Sequence, residues 1–78
     1  PYKERSLLQI FYKIDSKCKE HGLPLIISYE AKKMYKVLSE IRISRGINRI
    51  GLEAACVYVS CKKHNVPRSA KEIAEIFQ

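Results

Sequence analysis

Basic side chains that could bind phosphate are concentrated in two places in this 78-residue chain. The first group surrounds a glycine, which lets a backbone approach a ligand closely; it comprises Arg42, Arg45, Gly46 and Arg49. Three guanidinium groups in such a segment are suited to DNA phosphates or to the minor groove. The alternative interpretation is a solvated loop between two helices.

The second group lies between two predicted helices and comprises Lys62, Lys63, His64, Arg68 and Lys71. Its charge is concentrated where two helix ends meet, and the N-terminus of the following helix adds a partial positive charge suited to anions. Alternatively, Lys62 and Lys63 compensate the dipole at the C-terminus of the preceding helix. Arg68 could likewise pair with Glu72, one turn further on.

The whole chain is basic as well. Fifteen Lys and Arg residues against eight Asp and Glu residues give a formal net charge of +7. This balance favours a polyanionic partner, nucleic acid first, although a lysine-rich solvated surface would have the same composition. The lysines of the first two predicted helices are interpreted as such a surface; they are Lys13, Lys17, Lys19, Lys32, Lys33 and Lys36.

The remaining reactive residue types predict neither catalysis nor metal binding. His21 and His64 are isolated, and the carboxylates are scattered singly, so no catalytic triad or acid–base pair is predicted and the chain is not expected to be an enzyme. Cys18, Cys56 and Cys61 have no metal-ligand spacing, which argues against a zinc site, a cofactor or a disulfide framework. We interpret them as buried, reduced thiols of an intracellular protein.

Four helices are expected to position these residues, and no strand pattern competes with them. The predicted helices run from about Ser6 to Glu20, from just after Pro24 to near Arg42 or Ile43, from about Arg49 to His64, and from Ser69 to the end of the chain. Ser6 with Gln9 and Ser69 with Glu72 fit capping boxes. Asn48 is a plausible N-cap of the third helix, and Gly22 and Asn65 are placed to end the helices before them.

Apolar stripes indicate how these helices pack. The predicted stripes are Leu7, Phe11, Ile14 and Cys18 on the first helix, Ile27, Ala31, Met34, Leu38 and Ile41 on the second, and Ile73, Ile76 and Phe77 on the fourth. The third helix is apolar nearly all round: Leu52, Ala55, Cys56 and Val59 form one face, and Ala54, Val57, Tyr58 and Cys61 almost complete the circle. Such a helix is expected to be central and enclosed by others. The fold class is therefore all-α.

Length and hydropathy limit the alternatives. No apolar run is long enough to cross a bilayer, and no signal-peptide pattern is present, so no membrane partner is expected. Residues 1–78 suit a single domain. Because the chain starts at Pro1 rather than Met, we interpret it as a fragment of a longer protein.

The third and fourth helices carry a recognisable pattern. Residues 54–77 read AACVYVSCKKHNVPRSAKEIAEIF. They resemble the segment of the transcription initiation factor IIB family in which an Ala-Cys-x-Tyr-x-x-Cys helix precedes Val-Pro-Arg-(Thr/Ser)-x-x-Glu-Ile. The matching positions here are Ala55, Cys56, Tyr58, Cys61, Val66, Pro67, Arg68, Ser69, Glu72 and Ile73. The resemblance extends over nearly the whole chain and is most specific in residues 54–77.

The resemblance implies a cyclin-like helical bundle. The family core has two cyclin-like repeats of five helices, and this chain resembles the first repeat, with four of the five helices present and no zinc ribbon. Residues 1–78 would then form a single cyclin-like repeat. The surface left by the absent fifth helix could support a dimer.

The resemblance also implies a function in promoter-complex assembly, with promoter DNA near the TATA box, the TATA-binding protein and RNA polymerase as partners. In the family, a Gly-Arg pair between helices two and three reaches DNA; here Ile47 follows Gly46, and the arginines stand at Arg45 and Arg49. The implied location is the nucleus in a eukaryote, the site of transcription for a virus, and the cytoplasm in an archaeon.

Two other functions remain open at this point. One is a cyclin-like protein-interaction domain that does not bind nucleic acid. The other is an unrelated basic helix-turn-helix regulator, which would need a recognition helix after residue 78. The Val66–Ser69 segment with its capping box favours the transcription-factor interpretation.

Overall fold

The computed structural model describes residues 2–40 and 49–78, and the side chains of residues 6–40 and 50–78. These two ranges contain four α-helices: α1 (Tyr2–Glu20), α2 (Leu25–Glu40), α3 (Arg49–Lys63) and α4 (Ala70–Ile76). They pack mainly in chain order, α1 against α2, α2 against α3 and α3 against α4. The all-α prediction is confirmed.

The predicted start of α1 is wrong. The helix begins at Tyr2, so Ser6 lies inside it and cannot form a capping box with Gln9. Residues 3–5 are Lys, Glu and Arg, which all have high helix propensity, and this extends the helix toward the N-terminus. The predicted end of α2 and the proposed Asn48 cap lie outside the described residues.

Two residues with left-handed backbone end the helices before them, as predicted. Gly22 has φ 71° and Asn65 has φ 59°. After α1, the amide of Leu23 donates to the Cys18 carbonyl at 2.9 Å and that of Gly22 to the Lys19 carbonyl at 3.2 Å. This pair of bonds is a Schellman motif, and α3 ends in the same way. At α3, the amides of Val66 and Asn65 donate to the carbonyls of Cys61 and Lys62.

The capping box predicted for α4 is present. The Ser69 hydroxyl accepts a hydrogen bond from the Glu72 amide at 3.1 Å, and the Glu72 carboxylate accepts one from the Ser69 amide at 2.9 Å. α4 has only seven residues, which is too short for stability by itself. It is held by its buried face, because Ile73, Ile76 and Phe77 all lie in the core.

The core uses stripes close to the predicted ones. Its buried apolar residues are Ile10, Ile14, Cys18, Leu23, Ile27, Ala31, Tyr35, Leu52, Cys56, Val57, Cys61, Ile73, Ile76 and Phe77. On α2 the inner face also includes Tyr35, which is absent from the predicted stripe, while Met34 and Leu38 pack at the margin. Ile41 lies outside the described residues.

The expectation that α3 is enclosed on all sides is wrong. Leu52 and Cys56 are buried as predicted, but Ala55 is exposed and Val59 is 46% exposed. The buried face instead continues through Val57, Ser60 and Cys61. Helices α2 and α4 pack against α3, and the side of α3 that carries Ala55 and Val59 stays uncovered in the described residues.

One buried hydroxyl joins the two helices that pack most closely. Ser60 of α3 is fully buried and donates to the carbonyl of Ile27 in α2 at 3.0 Å. A small side chain allows the two backbones to approach, and its hydrogen bond satisfies a polar group that would otherwise be costly to bury. This contact fixes the C-terminal half of α3, which precedes the second basic group, against the first turn of α2.

Candidate nucleic-acid interface

The first predicted basic group cannot be placed. Arg42, Arg45, Gly46 and the side chain of Arg49 lie outside the described residues. The backbone of Arg49 is described, and it forms the first residue of α3. Contact between this group and DNA stays a prediction.

The second group is placed at the opposite end of α3, and Lys62 and Lys71 are the exposed lysines in it that have no ion pair within the described residues. Both residues are exposed. The Lys62 ammonium lies 6.0 Å from the centroid of the Tyr58 ring, at the outer limit for a cation–π contact. These two side chains can therefore approach an external phosphate without losing a close internal ion pair.

Lys63 and His64 have a different environment, because both approach the carboxylate of Glu30 on α2. The Lys63 ammonium lies 2.6 Å from Glu30 Oε1, and His64 Nε2 lies 3.6 Å from the same oxygen. The hydrogen bond from Lys63 holds the pKa of the Glu30 carboxyl below its ordinary value, and Lys33 contributes in the same direction. Lys63 thus links the end of α3 to α2 through an ion pair, although its side chain remains 62% exposed.

Arg68 does not pair with Glu72, contrary to the alternative raised from the sequence. Its guanidinium donates to the carbonyl of His21 at 3.0 Å, which ties the turn after α3 to the turn after α1. The Glu72 carboxylate bonds the Ser69 amide instead. The capping box uses the amides of Ser69 and Glu72 at the start of α4, and an anion site at that helix end stays a prediction.

Sequence reasoning missed a buried ion pair and placed Lys13 on a solvated face. Glu53 on α3 is only 1% exposed, and its Oε1 lies 3.0 Å from the ammonium of Lys13 on α1. That oxygen has no well-aligned hydrogen bond, so the contact is chiefly one between charges. A signal was available: Glu53 shares a helical stripe with Val57 and Ser60, where an unpaired carboxylate would be costly.

The three cysteines are free and buried, as predicted. Burial raises the pKa of Cys18 and of Cys56 to about 11, and it also raises the pKa of Cys61. Within residues 6–40 and 50–78, no group of three His, Cys, Asp or Glu residues is placed to hold a metal ion. None of the four described helices combines the length and apolar character that a bilayer crossing requires.

These thiols predict a loss of stability at alkaline pH. The thiol pKa is about 11 in the folded chain against an ordinary 9.0, so the unfolded chain releases its protons first. The free energy of unfolding should therefore be undiminished below pH 9.0 and should fall as the pH rises toward about 11. Urea unfolding across this range measures the effect.

A variant separates the thiols from the lysines that titrate in the same range. In the double variant Cys18→Ala and Cys56→Ala, the alkaline loss should be clearly smaller than in the parent chain. Equal losses in both proteins would mean that these thiols do not control the pH dependence.

Comparison with known proteins relates the whole chain to one family. A protein-family model described as "Transcription factor TFIIB repeat" matches residues 3–78. A protein of Acanthamoeba polyphaga mimivirus, named as transcription initiation factor IIB-like, is 42% identical over 97% of this chain and 19% of its own length. Transcription initiation factor IIB of Glycine max is 36% identical over 94% of this chain and 23% of its own length.

Transcription initiation factor IIB of Schizosaccharomyces pombe is 32% identical over 94% of this chain and 22% of its own length. The chain thus spans about a fifth of the length of these relatives. No solved structure matches it significantly. The four-helix fold and a family match that covers nearly every residue lead to the same result: this chain belongs to the transcription factor TFIIB repeat family, and its fold is the cyclin-like all-α bundle.

Proposed function

We propose that the chain acts as a non-catalytic repeat of a transcription initiation factor. It would bind promoter DNA near the TATA box and assemble there with the TATA-binding protein and RNA polymerase. Family membership and the names of the relatives support this proposal. The single observation that carries the DNA-binding step is the net charge of +7 on a chain of only 78 residues.

The two ends of α3 support an extended contact with the DNA backbone. Arg49 starts the helix, and Lys62 lies in its last turn. A 15-residue helix is roughly 22 Å long, which is about six backbone steps along one DNA strand. A surface that uses both basic groups would thus bind about half a turn of duplex or more. Such contacts would position the chain rather than read bases.

Titration with promoter DNA tests this function. We expect the affinity to fall steeply with added salt, because lysines and arginines displace counterions from phosphates. We also expect the chain to join a preformed complex of DNA and the TATA-binding protein. The measurement is fluorescence anisotropy at several salt concentrations, with and without that protein. An affinity that does not change with salt concentration, together with no recruitment to the preformed complex, would contradict the proposal.

The arginines of the first group can be tested separately. Replacing Arg45 and Arg49 with Ala should weaken binding to a similar extent on all DNA sequences, and each lost phosphate contact should lower the salt slope by about 1. Lys36→Ala is the matched control, since Lys36 is an exposed lysine outside both basic groups. If the control and the double variant weaken binding equally, the assignment of this segment is wrong.

The proposal includes the TATA-binding protein and RNA polymerase as protein partners. It also implies that the chain is located inside the cell at the site of transcription, which is the nucleus in a eukaryote. The exposed stripe of α3 that carries Ala55 and Val59 favours a further protein contact there, as the cyclin-like interaction alternative also requires. The dimer expected from the sequence stays a prediction, and sedimentation equilibrium of the isolated chain would detect it.

A further inference from the structure

One carboxylate faces several basic side chains where α2 meets the end of α3. The Glu30 oxygen Oε1 lies 2.6 Å from the Lys63 ammonium and 3.6 Å from His64 Nε2. The second oxygen, Oε2, lies 3.9 Å from the ammonium of Lys33 on the same helix. These four residues, called the Glu30 cluster below, hold one negative charge against two positive lysines, and a protonated His64 adds a third positive charge. The cluster therefore has an excess of positive charge.

The lysines of the Glu30 cluster face solvent, whereas the carboxylate lies beneath them. The side chains of Lys63 and Lys33 are 62% and 64% exposed, and that of Glu30 is 15% exposed. A flexible four-carbon stem lets each ammonium turn from Glu30 toward an anion in solution. Ion pairs of exposed lysines contribute little to stability, so this exchange does not require the fold to open.

Only one of the basic side chains makes a close contact with the carboxylate. Lys63 donates a hydrogen bond to Glu30 Oε1 at 2.6 Å. His64 Nε2 is buried and has no hydrogen-bond partner within the described residues, and at 3.6 Å from the same oxygen it lies just beyond hydrogen-bond distance. An incoming phosphate would therefore have to replace a single strong contact, the one made by Lys63.

We propose that Glu30 is an internal counterion that competes with phosphate for Lys63. A DNA phosphate beside Lys63 and Lys33 would take over the contact that the carboxylate now makes. Lys63 then adds less to the DNA affinity than an unpaired lysine, because its ion pair must be broken and the carboxylate repels the phosphate. This role rests on the proposed function and adds to it a residue that lowers the affinity.

The variant Glu30→Gln tests this competition in the promoter DNA titration with the 78-residue chain. Glutamine keeps the size of the side chain and removes its charge, so Lys63 becomes available to a phosphate. We expect the affinity to rise by about fivefold and the salt slope to become steeper by about 1, as for one additional phosphate contact. The urea midpoint should stay close to that of the parent chain, since exposed ion pairs contribute little to stability.

Two further variants separate competition from a general change of charge. Asp15→Asn is the matched control, because Asp15 pairs with Lys32 at 2.9 Å outside both basic groups. It alters the net charge by the same amount and also releases a lysine, yet it should change the affinity by less than about twofold and leave the salt slope unchanged. In the double variant Glu30→Gln and Lys63→Gln, the gain in affinity should be lost.

Inorganic pyrophosphate gives a readout that does not require DNA. We expect the amide chemical shifts of Lys63 and His64 to change as pyrophosphate is added. Half of the change should be reached at about threefold lower concentration in Glu30→Gln than in the parent chain, because the internal carboxylate no longer competes. Asp15→Asn should behave as the parent chain does.

Several results would overturn the competition. Equal DNA affinities of Glu30→Gln and Asp15→Asn would do so, and so would equal pyrophosphate binding by Glu30→Gln and the parent chain. Weaker DNA binding by Glu30→Gln would mean that the carboxylate positions Lys63 for the phosphate. A gain that persists without Lys63 would assign the effect to net charge. Failure of the proposed function gives a different result: neither the parent chain nor Glu30→Gln binds DNA, while the difference in pyrophosphate binding remains.

Discussion

Replacing Phe77 with alanine is expected to lower the free energy of unfolding by about 3–5 kcal/mol. Phe77 is fully buried and closes α4, where its amide donates to the Ile73 carbonyl at 3.3 Å. A chain of this size has a total stability of about 4–12 kcal/mol, so the variant should be close to unfolding. Urea denaturation followed by circular dichroism measures the loss.

Two variants check that the effect comes from the buried ring. Phe77→Leu keeps most of the apolar volume and should cost less than half as much as the alanine variant. Gln78→Ala changes an exposed neighbour and should cost almost nothing. A loss below about 1 kcal/mol in Phe77→Ala would mean that the end of α4 frays in solution and that Phe77 is not an anchor.

The importance of Phe77 follows from how α4 is stabilised. Its capping box satisfies the first turn, but seven residues cannot hold a helix without tertiary contacts. The anchors Ile73, Ile76 and Phe77 supply those contacts. If α4 detached, Lys71 would lose its position relative to Lys62, so the proposed DNA surface depends on the last core residue of the chain.

The local signals in the sequence were sufficient to predict most of the fold. Left-handed backbone at Gly22 and Asn65 and the capping box at Ser69 are properties of a few neighbouring residues. Such features are encoded by short-range chemistry and can be recognised without knowing what packs nearby. The start of α1 could not be predicted in the same way, because Ser6 fits an N-cap and the helix formers before it also fit a longer helix.

Tertiary pairing was harder to foresee. The sequence of α3 does not reveal which of its apolar sides α2 and α4 cover, so Val59 was expected inside and is 46% exposed. Partners that are distant in the chain were missed for the same reason. Glu30 meets Lys63 across 33 residues, and Arg68 meets the His21 carbonyl across 47. Charge alone could not separate a lysine that holds two helices together from one that faces a ligand.

The second basic group therefore contains two kinds of side chain, those that only face solvent and those that also hold parts of the fold together. Lys62 and Lys71 stay exposed, whereas Arg68 and Lys63 have contacts within the fold. Loss of DNA binding in an Arg68 variant would therefore not by itself indicate a phosphate contact, because the turn it fixes would move as well. Alanine variants of Lys62 and Lys71 test the proposed DNA contact more directly, because these side chains form no ion pair within the described residues.

Replacing Lys13 with methionine should lower the free energy of unfolding by about 2 kcal/mol, although sequence reasoning had placed Lys13 on a solvated face. The change leaves the Glu53 carboxylate, which is 1% exposed, without its cation at 3.0 Å. Removal of one partner from a fully buried pair costs about 3–5 kcal/mol, and we expect less here because water reaches the Lys13 side chain, which is 35% exposed. Urea unfolding again gives the measurement.

A double-mutant cycle distinguishes this charge effect from a loss of packing. Combining Lys13→Met with Glu53→Leu removes both charges, so the double variant should recover most of the stability lost in Lys13→Met. Lys32→Met is the matched control. Its partner Asp15 is 47% exposed, and water can solvate that carboxylate when the lysine is removed, so the cost should stay below about 1 kcal/mol. If both lysine variants lose the same stability, or if Glu53→Leu restores none of it, the α1–α3 pair does not carry a desolvated charge.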